Sequence, residues 1–339
     1  MQRPLPVGKL DADLLGELLG ELHSDDPAVV VGPGIGRDVT VLAWEGEGKY
    51  LIAKTDPITF ATDEIGHYAV SVNANDVATS GGVPRWFLAT LLLPDDGSDK
   101  ELARTIFAQI DGACRETGIT LVGGHTEVTY DLSRPIVVGF MLGEVGRGEL
   151  VTSGGAQVGD RILLTKGVAV EGTALIAREK GEQLRARGFD EESVARAANF
   201  LHAPGICVLP EARVAVAAGE VHAMHDPTEG GLATGLHELA IASGVGVEVA
   251  LEDIPILPET ASFCAALGLE PLGLMASGSL LIAAPAGDAQ AIAGAIRAEG
   301  IDCAQIGEVV APERGVKMRR GLAWCDLPRY DQDEIAKLF

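Results

Sequence analysis

The stretch EIGHYAVSVNANDVATSGGVP, residues 64–84, combines a helical pattern with an acidic residue on the apolar face. Three apolar residues and one acidic residue recur there at helical spacing: Ile65, Ala69, Val72 and Asp76. The spacing predicts a helix over 64–80 that ends at the following glycines. An ionised carboxylate facing a core is costly unless it is paired. We therefore expect Asp76 to bind a divalent cation, to pair with Arg85, or to cap a loop.

Three further acidic residues follow glycine-rich or apolar segments. Asp38 comes after a glycine-rich turn, and Asp56 ends an apolar strand before a proline, which keeps its backbone extended. Asp226 begins the segment Asp-Pro-Thr-Glu-Gly-Gly. Each is alternatively an ordinary turn residue or helix cap. Carboxylates that share Mg²⁺ beside amide-rich turns can bind a nucleotide, and the sequence has no P-loop motif.

Two segments are candidates for those amide-rich turns. Gly123-Gly124-His125-Thr126 follows the apolar run 119–122, so we expect either a turn whose backbone approaches a ligand or a simple turn. Residues 226–231 lead into a helix that begins near Leu232. The exposed amides of that helix N-terminus could hold a phosphate, or the segment is an ordinary cap.

Composition excludes several classes of protein. The 26 Lys and Arg residues against 49 Asp and Glu give a net charge of −23, and the basic residues form no cluster, so nucleic acid is not an expected partner. The five cysteines are an odd number, which favours reduced thiols in the cytoplasm. The longest uncharged run, 271–287, is too short to span a membrane, and the N-terminus has no apolar leader.

The pattern of elements predicts an α+β fold, because both halves mix strands and helices without regular βαβ alternation. A turn-rich stretch at 153–160 predicts a domain boundary. We expect an N-terminal domain at 1–152, a C-terminal domain at 153–312, and an irregular tail at 313–339.

Taken together, the motifs resemble the aminoimidazole ribonucleotide (AIR) synthetase superfamily. Its branches include selenophosphate synthetase, thiamine monophosphate kinase and a hydrogenase maturation factor. The resemblance covers roughly residues 30–310 and rests on five segments: Gly36-Arg37-Asp38, Thr55-Asp56, Asn75-Asp76 with Gly81 to Pro84, Gly123 to Thr126, and Asp226 to Gly231. Arg37 stands where the family has an additional Asp, which predicts fewer metal ions or a direct contact between Arg37 and phosphate.

The resemblance implies a homodimer of two-domain α/β chains that binds ATP and Mg²⁺. The N-terminal domain would form a β-barrel at the dimer interface, and the C-terminal domain an α/β sandwich. The implied metal ligands are Asp38, Asp56, Asp76 and Asp226. The residues expected to contact the nucleotide are Arg37, Asn75, Gly123, Gly124, His125, Thr126 and Lys166. The catalytic candidates are Lys54, which could reach a phosphate, and Glu171 and Glu238, which could touch substrate or move a proton. Alternatively, Lys54 and Lys166 are solvated surface lysines, and Glu171 and Glu238 are exposed helix carboxylates.

The expected function is ATP- and Mg²⁺-dependent phosphorylation or activation of a small-molecule or protein-borne acceptor. An alternative is the carbamoyl dehydratase chemistry of the hydrogenase maturation factor, with another maturation factor as partner. Asp226 to Ala233 match that branch, whereas Glu127 replaces its usual Lys and the sequence ends Ala336-Lys-Leu-Phe339 without its terminal Cys. A second alternative is a non-catalytic nucleotide-binding partner protein.

Overall fold

The computed structural model describes residues 10, 12–20, 26–44, 48–61, 63–330 and 332–338. The chain separates into two units. The first unit comprises Asp25–Gly32 and Asp38–Leu150, and the second comprises Met1–Ser24, Pro33–Arg37 and Val151–Phe339. Each unit has its own mixed β-sheet, so the mixed α/β, two-part architecture expected from the sequence is present.

The first unit contains six strands in the order β1-β2-β3-β6-β4-β5. The strands are β1 Val29–Val31, β2 Thr40–Ala43, β3 Lys49–Ile58, β4 Val83–Pro94, β5 Thr120–Thr129 and β6 Ile136–Gly146. All neighbours are antiparallel except β4 and β5, which are parallel. The sheet formed by the described residues of one chain is open, with β1 and β5 at its edges. The barrel therefore stays a prediction.

Two helices accompany this sheet, α2 Ile65–Thr79 and α3 Lys100–Thr117. Helix α2 packs on β3 and β6 with one side and on α3 with another. Every residue of α2 except His67 is consequently buried. A helix enclosed in this way needs small and apolar residues all round, and its three Ala, three Val and one Gly meet that need. Helix α3 is amphipathic, and its N-terminus is capped by Asp99, which accepts a hydrogen bond from the Leu102 amide.

The second unit contains seven strands in the order β13-β12-β9-β11-β7-β10-β8. The strands are β7 Arg161–Thr165, β8 Ala223–His225, β9 Gly246–Ala250, β10 Leu281–Ala284, β11 Cys303–Val310, β12 Val316–Arg320 and β13 Ala323–Asp326. The helices are α1 Ala12–Gly20, α4 Val170–Glu179, α5 Gly181–Ala186, α6 Glu191–Ala198, α7 Leu209–Ala218, α8 Gly231–Ser243, α9 Pro258–Leu267 and α10 Ala289–Ala298. Strands β9 and β12 are parallel, and the other neighbours are antiparallel.

The segment after Pro312 differs from the sequence-based prediction. In place of an irregular tail, it contributes β12 and β13 to the edge of the second sheet. Met318 alone on β12 is fully buried, so this short strand lacks the run of apolar residues that would have predicted it. Among the described residues, no helix has the length and apolar character needed to cross a membrane.

Candidate functional site

Three acidic residues from three different elements meet in the first unit. Asp38 lies in the loop before β2, Asp56 lies in β3, and Asp76 lies near the end of α2. The Thr79 hydroxyl lies within hydrogen-bond distance of two acceptors, Oδ2 of Asp38 (3.3 Å) and the carbonyl of Asp76 (2.7 Å). The structure therefore brings together three of the four carboxylates that the resemblance implied as metal ligands.

The ammonium group of Lys54 lies among these carboxylates. Its Nζ atom is 3.0 Å from Oδ2 of Asp76 and 3.4 Å from Oδ2 of Asp56. Lys54 and Asp56 are two residues apart on β3, so their side chains leave the same face of the strand. Asp76 thus has an ion-pair partner in Lys54. Arg85 lies instead near Glu144, with 4.0 Å between Nε and Oε2.

Burial and neighbouring charges shift the pKa values of Asp76 and Lys54 in opposite directions. Burial raises the pKa of Asp76, and the neighbouring Lys54 ammonium offsets part of that increase. Burial lowers the pKa of Lys54, but the three carboxylates, led by Asp76, outweigh burial and raise it. Lys54 therefore stays protonated at neutral pH, whereas the net effect on Asp76 is a pKa raised to about 7, because burial outweighs the attraction of the ammonium. The alternative of a solvated surface lysine is wrong, because the Lys54 side chain is only 20% exposed.

Asn73 is a residue at this site that the sequence did not single out. Its amide nitrogen donates hydrogen bonds to the carbonyl of Asp56 (3.2 Å) and to that of Ala69 (2.9 Å). These bonds fix α2 against β3 beside the carboxylates. The available signal was the pair Asn73 and Asn75, since two amides in a fully buried helix need partners. Asn75 itself is fully buried next to Asp76.

The segment Gly123 to Thr126 is not a turn. It lies within β5 and pairs in parallel with β4, with Gly124 opposite Ala89. A Cβ atom at Gly124 would lie 1.9 Å from the Ala89 carbonyl oxygen, so glycine is needed there for strand pairing. His125 Nε2 lies 3.1 Å from an oxygen of Glu127 on the exposed strand. The proposed nucleotide contacts of these four residues stay predictions.

In the second unit, Asp226 directly follows β8 and is buried. The preceding residue, His225, contacts Glu238 of α8, with 2.9 Å between Nε2 and Oε2. Gly36 has φ +69°, and a Cβ atom there would lie 2.5 Å from the Glu238 carbonyl oxygen, so the loop that ends at Arg37 lies against α8. Arg37 belongs to this unit and is exposed.

The N-terminus of α8 is occupied by groups of the chain itself. The amide of Gly230 donates a hydrogen bond to Oδ2 of Asp333 (2.7 Å), and the amide of Gly231 donates to the carbonyl of Thr228 (3.0 Å). Burial raises the pKa of Asp333 to about 6. The chain's own carboxylate thus binds an amide at the place where the sequence proposed a phosphate, and the phosphate stays a prediction. Asp333 was missed because it lies about 100 residues from the helix it caps.

Two other candidates in this unit are buried. Glu171 is 5% exposed, accepts a hydrogen bond from the Ser277 amide (3.3 Å), and has its pKa raised to about 7 by burial. The alternative that Glu171 is an exposed helix carboxylate is therefore wrong. Lys166 pairs with Glu211 (2.8 Å) and donates to the carbonyl of Cys207 (2.7 Å). Its ammonium group is bound by these two partners and is not a solvated surface group.

The sequence matches a known family over both units. Residues 24–145 match the family described as AIR synthase related protein, N-terminal domain, and residues 157–318 match the corresponding C-terminal domain. Carbamoyl dehydratase HypE of Cupriavidus necator is 33% identical over 284 residues, which cover 80% of this chain and 77% of that protein.

Solved structures show the same fold. A crystal structure of hydrogenase maturation protein HypE in complex with ATP is 25% identical, with a TM-score of 0.71 over 94% of this chain and 95% of that chain. The structure of a HypE–HypF complex is 22% identical, with a TM-score of 0.75 over 94% of this chain and 99% of that one. The latter likeness shows the fold alone.

Proposed function

Because the chain belongs to the AIR synthase related protein family, we propose that it is an ATP-dependent enzyme that phosphorylates or otherwise activates a small-molecule or protein-borne acceptor. The observation that carries this proposal is the meeting of Asp38, Asp56 and Asp76 in the first unit. A carboxylate cluster of this kind, paired with a lysine, suits the handling of a charged phosphate ester.

The same cluster is where we place Mg²⁺. Carboxylate oxygens are the ligands that Mg²⁺ takes in proteins, usually together with substrate phosphates. Asp38, Asp56 and Asp76 would hold the ion, with Asp226 of the second unit as a fourth candidate. The ion would neutralise charge on the triphosphate of a chain whose net charge of −23 otherwise repels anions.

The remaining site residues take supporting roles in the proposal. Asn75, Arg37 and the segment Gly123 to Thr126 would contact the nucleotide. Glu171 is suited to proton transfer near neutral pH, because burial brings its pKa to about 7. Glu238 would act together with His225. Lys166 could reach a phosphate only by leaving Glu211, so the case for it as a nucleotide ligand is weaker.

A second candidate function is the carbamoyl dehydratase activity of the relatives. The similarity to HypE over four fifths of this chain favours it. In that case a maturation factor would be the partner, and the acceptor would be protein-borne. Of the described cysteines, Cys325 on the edge strand β13 is exposed, and the other four are buried or half-buried. ATP-dependent loss of one water from a carbamoylated thiol of this chain, measured by mass spectrometry, separates this candidate from a small-molecule kinase.

We also propose a homodimer formed by the N-terminal domain in the cytoplasm, where its cysteines stay reduced. Strand β5 is an edge of the open sheet; Val128 within it is 60% exposed, and Tyr130 just after it is 80% exposed. Exposed apolar residues on an edge strand are typical of an interface. Pairing with a second copy would close the predicted barrel. Light scattering of Tyr130→Lys, Val128→Lys and the wild type tests this, because a monomer in all three would contradict the proposal.

The catalytic proposal is tested by measuring ATP binding calorimetrically and ADP release with MgCl₂. Asp76→Asn should abolish ADP release, because it removes a proposed ligand and the partner of Lys54. The matched control is Asp111→Asn, which alters only a helix-surface pair with Arg115. ATP binding without ADP release, with or without candidate acceptors, would favour the non-catalytic partner protein. Absence of ATP binding would contradict the proposal altogether.

A further inference from the structure

The described structure places a positive charge inside the proposed metal site. Lys54 Nζ bridges Asp56 and Asp76, and its side chain is largely withdrawn from solvent. The opposite charges are fixed by two elements, because Lys54 and Asp56 belong to β3 and Asp76 belongs to α2. Asn73 holds these elements together by its hydrogen bond to the Asp56 carbonyl. The contact is therefore part of the packed interface between helix and strand.

The charge balance of the cluster follows directly. Asp38, Asp56 and Asp76 supply three negative charges when ionised, and Lys54 supplies one positive charge. A single divalent cation then suffices to neutralise what remains. A free divalent cation approaching Asp56 and Asp76 must either displace the ammonium or accept its repulsion at close range. Without Lys54, the same carboxylates would form a strong site for a free cation.

We propose that Lys54 is a built-in counter-ion that keeps the cluster from binding free divalent cations and limits it to a cation delivered with the nucleotide. This rests on the proposed function for the identity of the ligand, but the behaviour of the nucleotide-free protein does not depend on it. Lys54 is thus a positioning and specificity-determining residue. It holds Asp56 and Asp76 in place until a triphosphate supplies both the metal and a new negative partner for the ammonium.

The test is a titration of nucleotide-free protein with Mn²⁺. Electron paramagnetic resonance measures the concentration of free Mn²⁺ after each addition. Lys54→Met keeps the length of the side chain without the charge, and Lys54→Arg keeps the charge. The matched control is Lys49→Met, on the same strand, whose ammonium lies 3.1 Å from Glu144 outside the cluster. Circular dichroism and thermal unfolding verify that each variant is folded.

We expect Lys54→Met to gain one Mn²⁺ site at least tenfold tighter than any site in the wild type. Lys54→Arg and Lys49→Met should resemble the wild type. The double variant with Asp76→Asn should lose the gained site, which assigns it to this cluster and not to the acidic surface. Equal Mn²⁺ binding by the wild type and Lys54→Met would overturn the proposal.

A further test does not depend on the Lys54→Met variant and compares the wild type with Asp76→Asn. Tight Mn²⁺ binding at this cluster without nucleotide, lost in Asp76→Asn, would overturn the proposal even if Lys54→Met failed to fold. Because the titration contains no ATP, its outcome is separate from that of the ADP-release assay. A protein that never hydrolyses ATP but gains the Mn²⁺ site in Lys54→Met would still support the role of Lys54.

Discussion

The side chain of Asp333 accepts a hydrogen bond from the backbone amide of Gly230, with 2.7 Å between the two atoms. Its other carboxylate oxygen accepts a hydrogen bond from the Ile335 amide (2.8 Å). One acidic side chain thus closes the N-terminus of α8 and stabilises the turn at 333–335. A carboxylate in this position also interacts favourably with the helix dipole.

Asp333→Ala should destabilise the second unit, because it removes the partner of two buried amides. We expect a loss of about 2 kcal/mol in the free energy of unfolding, measured by urea denaturation. Asp326→Ala, which removes the exposed partner of Lys317, is the control and should have a clearly smaller effect. Equal stability of Asp333→Ala and the wild type would contradict the assigned cap.

Glu171 should make stability depend on pH. Its pKa in the folded protein is about 7 against a usual 4.5, so between these values the folded state binds more protons than the unfolded state. Stability contributed by protonated Glu171 is therefore complete below about pH 4.5 and is lost as the pH rises through 7, by at most about 3 kcal/mol. Asp333 acts in the same direction between about pH 4 and 6.

Glu171→Gln removes this titration while keeping the shape of the side chain. Urea unfolding at pH 5, 6, 7 and 8 should show a flatter pH dependence for Glu171→Gln than for the wild type. Parallel curves for the two proteins would show that Glu171 does not titrate in this range.

Gly124→Ala should disrupt the pairing of β4 and β5, since the added Cβ would meet the Ala89 carbonyl oxygen. We expect a destabilisation of about 3 kcal/mol or more, measured by thermal unfolding. Gly123→Ala is the matched control, because no atom lies within 4 Å of a Cβ there, although its φ of +158° is also unusual. If both variants unfold alike, close strand approach is not what requires glycine at 124.

Lys166→Met should cost about 3–5 kcal/mol of stability, because it leaves Glu211 buried without its counter-charge. The double variant Lys166→Met with Glu211→Leu should recover most of this loss. Calorimetry with ATP should give the wild-type affinity for the double variant. A loss of ATP affinity in the stable double variant would instead assign Lys166 to the phosphate.

Much of the fold was predictable because apolar periodicity is a local signal. The spacing of apolar residues predicted a helix over 64–80, and the structure has α2 at Ile65–Thr79. The prediction failed where a residue has a non-local reason. Gly123 and Gly124 indicated a turn in the sequence, but the requirement at Gly124 comes from a neighbouring strand.

The candidate site also combines features that local motifs predict with features that depend on distant parts of the chain. The carboxylates Asp38, Asp56 and Asp76 were selected from motifs, and the structure gathers them. The ion pair between Lys54 and Asp76 was not predictable, because Lys54 lies 22 residues before Asp76 and reaches it only when β3 and α2 pack. The cap formed by Asp333 was equally hidden, since no local pattern links it to Gly230.

The composition of the second unit has a consequence for how the protein is made. Residues 33–37 belong to that unit, yet the partner of Gly36 on α8 is synthesised about 200 residues later. The first unit, whose β3 pairs with β6, leaves the ribosome complete before that partner exists. The first unit is therefore free to fold during translation, whereas the early segment of the second must wait until α8 has been synthesised. Cutting the gene at residue 150 would separate the two permanently.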